Sequence, residues 1–211
     1  MATIDELVVA SAAGDWERAG FRLDDGVVEV GTVRIRPAGE RAGRGIVSCS
    51  LRGLGSDALD GLPVQRSERP PPAGAQHPNR VMRIDHVVAF TPDLDRTIAA
   101  LESAGLDFRR LREGPTPGGA MRQGFFRLGD EILEVVEAPE GTRIREQPDG
   151  SARLWGISFL VDDLDATAAE LGELLGTPRD AVQPGRRIAT VRREARLGAA
   201  VSFITPGAGA V

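Results

Sequence analysis

Two segments in the second half of this chain align when one is shifted by 70 residues, and that internal repeat constrains the fold more than any local pattern. The first reads RIDHVVAFTPDLDRTIAALESAGL from Arg83, and the second reads RLWGISFLVDDLDATAAELGELLG from Arg153. Each opens on an apolar, strand-like run, over 84–90 and 154–161, and continues into helical spacing. Leu94, Ile98 and Leu101 form one apolar helix face, and Leu164, Ala168, Leu171 and Leu175 form the other. Asp93 and Asp163 stand where an N-terminal cap or first-turn acid belongs, with Gly105 and Gly176 where a left-handed C-terminal cap belongs.

Three more strands are expected after each helix, over 108–112, 122–128 and 131–136 in the first copy and 181–182, 188–192 and 200–204 in the second. Each copy is thus βαβββ, and 140–152, with Gly141, Pro148 and Gly150, connects them. The N-terminal third has the look of a worn third copy, since Ile4, Asp5 and Glu6 match Ile84, Asp85 and His86 at a shift of 80. Its expected elements are a strand over 4–10, a short helix over 15–19 and strands over 27–30, 32–36 and 46–51. Residues 62–80, which include Pro70, Pro71 and Pro72, have no periodicity and are expected to be a linker. The expected division is a degenerate N-terminal module over 1–61, the linker, and a paired domain over 81–211 to which that module is an appendage. An odd module leaves a sheet edge to be covered, and a homodimer is one way to cover it.

Composition narrows the chemistry. An apolar fraction of 41% and a charged fraction of 27% are those of a packed globular protein. All 26 basic residues are Arg and Tyr is absent, which excludes a Schiff base with pyridoxal phosphate, a phosphate-loop lysine and a catalytic tyrosine. A net charge of -5 argues against nucleic acid and anionic membranes and favours a small-molecule partner. The N-terminal MATIDELVV lacks the basic region of a secretory signal, and no apolar run approaches a membrane span, so the cytoplasm is the expected location. Cys49 is the sole cysteine and is expected to be a buried thiol. GLGSDA from Gly53 has dinucleotide-like glycines, but Pro63 leaves no room for the helix that would receive a pyrophosphate, so no nucleotide is expected. No GxSxG elbow supports a serine nucleophile. His77 lies in the linker and is expected to be exposed.

IDHVVAFTPDLD followed by ILEVVEAP resembles the vicinal oxygen chelate superfamily, which includes glyoxalase I, bleomycin-resistance proteins and extradiol dioxygenases. The resemblance covers 83–206 well and 4–52 weakly. It implies an α+β fold in which two βαβββ modules pair into an open, barrel-like cup, with a divalent metal held by residues of the first and fourth strands. On that pattern His86 is the first-strand ligand and Glu134 the fourth-strand ligand. The second copy departs from it, with Gly156 and Ser202 at those positions; in the N-terminal copy Glu6 takes the histidine position, as an additional cup carboxylate, and the last strand offers Ser48 or Ser50.

Strand alternation points to the same two residues independently. It puts Ile84, His86, Val88 and Phe90 on one face and Ile132, Glu134 and Val136 on one face. A carboxylate on an apolar face must be protonated, hydrogen-bonded or bound to a cation. Two readings stand side by side: a His86 to Glu134 hydrogen bond, or a weak site for zinc, manganese, iron or magnesium. Arg186, Arg187 and Arg192 could clamp a ligand anion or form a solvated strand edge. The functional alternatives are a metal-dependent lyase, isomerase or dioxygenase and a non-catalytic binding or sequestering protein. Gly156 and Ser202 favour the second by leaving space for a bound compound, and His86 and Glu134 favour the first.

Overall fold

The structure, a computed structural model, describes residues 1–116 and 119–207. The N-terminal third contributes β1 (Thr3–Val9), α1 (Ala13–Arg18), β2 (Val28–Val30), β3 (Val33–Pro37), β4 (Ile46–Arg52) and β5 (Val64–Ser67). The first repeat copy is β6 (Val81–Thr91), α2 (Leu94–Ser103), β7 (Asp107–Thr116), β8 (Gly119–Leu128) and β9 (Glu131–Glu137). The second is β10 (Arg153–Val161), α3 (Leu164–Leu171), β11 (Arg179–Asp180), β12 (Arg187–Thr190) and β13 (Ala200–Ile204). The fold is mixed α+β and mostly strand, and its two sheets are not closed into a barrel. No helix among the described residues is long and apolar enough to cross a membrane.

Capping explains why both repeat helices start where they do. The Asp93 side chain accepts from the Arg96 N–H, and that of Asp163 accepts from the Asp165 and Ala166 N–H groups, so first-turn donors are satisfied locally. Gly105 has a φ of +89° just beyond α2, as expected. In the second copy the helix stops earlier than its apolar spacing predicts, because Gly172 turns left-handed at φ +54°. Gly176 serves instead a close approach: its N–H donates to the Thr190 carbonyl, and a Cβ there would lie 3.1 Å from that oxygen. Strand β11 also falls two residues early, since the Ala181 N–H donates to the Arg186 carbonyl and closes a turn over 181–186.

Contacts divide the chain into two compact units, the first comprising 1–5, 48–69 and 86–155 and the second 6–47, 70–85 and 156–211. In the first unit the strand order is β6, β9, β8, β7, with β6 parallel to β9 and the rest antiparallel. Helix α2 packs on one face of this meander: Leu94, Thr97 and Leu101 are buried, and the Ile98 Cδ1 lies 3.1 Å from where a Gly124 Cβ would be. Val87, Ala89, Phe126, Leu133 and Val135 are buried on the same side. A second anchor of this unit is Asp5, fully buried, which accepts from Ser50, Ser67, Arg52 and Arg69.

The second unit repeats the arrangement, with β10 parallel to β13 and β13, β12 and β11 antiparallel in turn. The N-terminal copy follows it in part: β1 pairs parallel with β3, which pairs antiparallel with β2. Its closing strand is therefore β3 rather than the expected strand over 46–51. Strand β4 instead belongs to a parallel pair with β5 in the first unit, inside the stretch expected to be a linker. N-terminal side chains supply core to the second unit, with the Phe21 ring 5.2 Å from Phe159 and 5.0 Å from Trp16. His77 is buried as well, contrary to expectation. Its Nδ1 accepts from the Arg22 N–H at 3.1 Å and its Nε2 meets the Glu29 carbonyl at 3.0 Å, so the ring must be neutral to serve both. Burial holds its pKa below the ordinary value.

Candidate functional site

In the first unit the side chains turned away from α2 form a face that is half-buried. Strand register sets them in rows across the sheet: Arg110, Phe125, Glu134 and Val88 in one, and Arg112, Gln123, Val136 and Phe90 in the next. His86 pairs with Ile132, one step along from Glu134. Apolar and polar groups are mixed on this face, and the Phe90 ring meets Trp155 edge-on at 5.1 Å. Trp155 is half exposed.

The polar centre of this face is compact. Glu134 Oε1 accepts a hydrogen bond from the Gln123 amide, and Glu134 Oε2 lies 3.7 Å from His86 Nε2. His86 and Glu134 are thus brought together as the sequence suggested. Gln123 was not singled out there, although its odd-numbered position in β8 puts it on the same face as Phe125. A carboxylate between an amide and an imidazole can accept from a ligand N–H or O–H, and the imidazole can donate or accept according to its protonation.

Register shows what the other copies place in the same slots. Val88, two residues after His86, pairs with Glu134; Val8, two after Glu6, pairs with Arg36; Ser158, two after Gly156, pairs with Ser202. The N-terminal copy fills its slots with an ion pair, Glu6 to Arg36 at 3.0 Å, and neither Ser48 nor Ser50 is the counterpart of Glu134. The second copy fills them with a Ser202 to Ser158 hydrogen bond of 3.0 Å. Gly156 opens no space, because a Cβ there would lie 2.8 Å from the Ala200 carbonyl oxygen. Glu6, Gly156 and Ser202 belong to the second unit, His86 and Glu134 to the first.

The three arginines of the last module are spread out. Arg186 pairs with Asp85 at 2.5 Å and donates to the Thr205 carbonyl, while Arg187 holds Asp165 through both terminal nitrogens at 2.7 and 3.0 Å. Arg192 is exposed and caps a short turn. Two of the three are committed to carboxylates of the protein itself, which fits a charged strand edge better than an anion clamp.

The donor set does not fit a resident metal. Catalytic zinc normally takes three protein ligands, whereas here two converge and one of the Glu134 oxygens is engaged by Gln123. Among the described residues no three of His, Cys, Asp and Glu cluster to hold an ion.

The family model of the Glyoxalase/Bleomycin resistance protein/Dioxygenase superfamily matches residues 83–187. No curated protein matches the chain. Similar solved structures include methylmalonyl-CoA epimerase from Mycobacterium tuberculosis, at 19% identity and a TM-score of 0.50 over 61% of this chain and 91% of that one. A hypothetical protein from Bacillus halodurans is similar at 17% identity and a TM-score of 0.49, over 61% and 97%. A variant of the Streptomyces coelicolor epimerase in complex with 2-nitronate-propionyl-CoA is similar at 22% identity and a TM-score of 0.49, over 61% and 99%. At these identities the likeness is one of fold.

Proposed function

Since this chain belongs, through residues 83–187, to the Glyoxalase/Bleomycin resistance protein/Dioxygenase superfamily, we propose that it binds a small molecule on the open face of its first unit. The polar centre of that site is His86, Glu134 and Gln123, and it works without a resident metal. The observation that carries this reading is the position of Glu134, a carboxylate on a half-buried face whose oxygens already meet Gln123 and His86. Apolar walls with a few convergent polar groups are the usual make-up of a ligand site. Thermal-shift screening against small organic acids, amides and acyl compounds tests it. Compounds that stabilise the wild type should lose their effect in His86→Ala and Glu134→Ala and keep it in Arg192→Ala. Stabilisation that survives both changes on the open face would overturn the assignment.

A second reading, a divalent-metal-dependent lyase, isomerase or dioxygenase, is favoured by one distance. At 3.7 Å the His86 and Glu134 atoms are too far apart for a hydrogen bond and close to the ~3.4 Å between two donors of a tetrahedral zinc with bonds of ~2.1 Å. In that reading His86 and Glu134 hold the cation only when a ligand supplies further donors. Titration with zinc, manganese and ferrous iron, with and without a stabilising compound, separates the two.

A further inference from the structure

The open face carries two guanidinium groups that neither the repeat nor the apolar periodicity marks. Strands β7 and β8 pair Phe108 with Phe126 and then, across a β-bulge, Arg110 with Phe125 and Arg112 with Gln123. An unbroken register would set Arg109 and Leu111 opposite Phe125 and Gln123; the extra residue puts Leu111 beside Gly124 on the other face. A bulge of this kind re-aims side chains, and here it turns two arginines onto the face of Glu134 and His86.

Both arginines differ from their neighbours in how they are satisfied. Arg96 pairs with Asp60, Arg109 with Asp107 and Arg122 with Asp95, whereas among the described residues neither Arg110 nor Arg112 makes an ion pair. Arg110 instead lies over the Phe125 ring, 4.7 Å from its centroid. Charge on the face is therefore polarised, positive along β7 and negative at Glu134. With strands ~4.8 Å apart, the row from Arg112 to the strand of Glu134 spans roughly 10 Å. An anion would be repelled from Glu134 and drawn to β7, while the apolar part of the same molecule would lie across Phe125 toward Phe90 and Trp155.

We propose that the ligand of this face is an elongated apolar molecule with a terminal anion, seated on Arg110 and Arg112, and a hydrogen-bond donor directed at Glu134. The inference rests on the binding face proposed above. Fluorescence titration with anilinonaphthalene sulfonate, an aromatic anion with an N–H, and with its uncharged analogue phenylnaphthylamine tests the two ideas separately. The double variant Arg110→Gln, Arg112→Gln should weaken the sulfonate about tenfold and the neutral probe less than about twofold, and Arg110→Lys with Arg112→Lys should restore most of the loss. Naphthoate and naphthyl phosphate as competitors decide whether a carboxylate or a phosphate is preferred. Equal sulfonate affinity in the wild type and the double glutamine variant would overturn the charge inference and leave the binding face intact. A folded wild type that binds neither probe would overturn both.

Discussion

The carboxylate of Glu134 is shared between two neighbours, one oxygen taking the Gln123 amide and the other facing His86 Nε2 at 3.7 Å. Gln123→Leu keeps the volume and removes the donor, leaving a half-buried oxygen to be met by water. Stability should fall by about 1 kcal/mol, and any compound that depends on a fixed Glu134 should bind less tightly. Urea unfolding of the variant beside the wild type measures the first effect. An unchanged midpoint would mean that the amide contributes nothing to the centre.

Asp5 gives the first unit an acid-sensitive anchor. Burial raises its carboxyl pKa, but hydrogen bonds from Ser67 and Arg69 and the charges of Arg52 and Arg69 outweigh it and hold the group below its usual range. A carboxylate whose folded pKa is depressed adds stability above its unfolded value, near pH 4, and loses it as pH falls through the folded value. Asp5→Asn should therefore cost roughly 3 kcal/mol near pH 7, and the gap to the wild type should narrow as the solution is made acidic. Denaturant midpoints from pH 7 down to pH 2 provide the check, and a gap independent of pH would contradict it.

Cys49 should be inert. Burial, reinforced by the negative charge of Asp5, pushes its thiol up to about 12, so almost no thiolate exists at neutral pH. The folded protein should react with an aromatic disulfide reagent at least tenfold more slowly than the unfolded chain, and Cys49→Ser should bind ligand within about twofold of wild type. Rapid labelling of the native state would contradict this.

In the second unit, Phe21 fills the space between Trp16 and Phe159 and is almost wholly buried. Phe21→Ala should lower stability by about 3 to 4 kcal/mol. A fragment spanning 81–211 should in turn expose Phe159 and Phe203 and aggregate, because the N-terminal residues belong to that core. A fragment that stayed monomeric with a sharp thermal transition would show that they do not.

The repeat made the βαβββ order legible, because capping aspartates and apolar spacing are local signals that the packed chain keeps. The assignment of β3 as a closing strand was not legible. Its choice over 46–51 depends on its antiparallel pairing with β2, and strand partners leave no mark in either sequence alone. The burial of His77 is not legible for a related reason: proline-rich composition marks a lack of regular structure, not exposure, and this stretch belongs to the second unit with its imidazole tied to two backbone groups. Of the candidate site, alternation found His86 and Glu134. Gln123 was within reach of the same count, but Arg110 and Arg112 were not, since a bulge resets the alternation on which such a count depends.

Metal content of protein purified without an affinity tag, followed by calorimetric titration with zinc, manganese and ferrous iron, tests the central claim most directly. A polar centre of His86, Glu134 and Gln123 that binds a small molecule without a resident ion predicts substoichiometric metal as purified and no saturable heat from any of the three cations in the absence of ligand. One equivalent of metal, lost together in His86→Ala and Glu134→Ala, would contradict it.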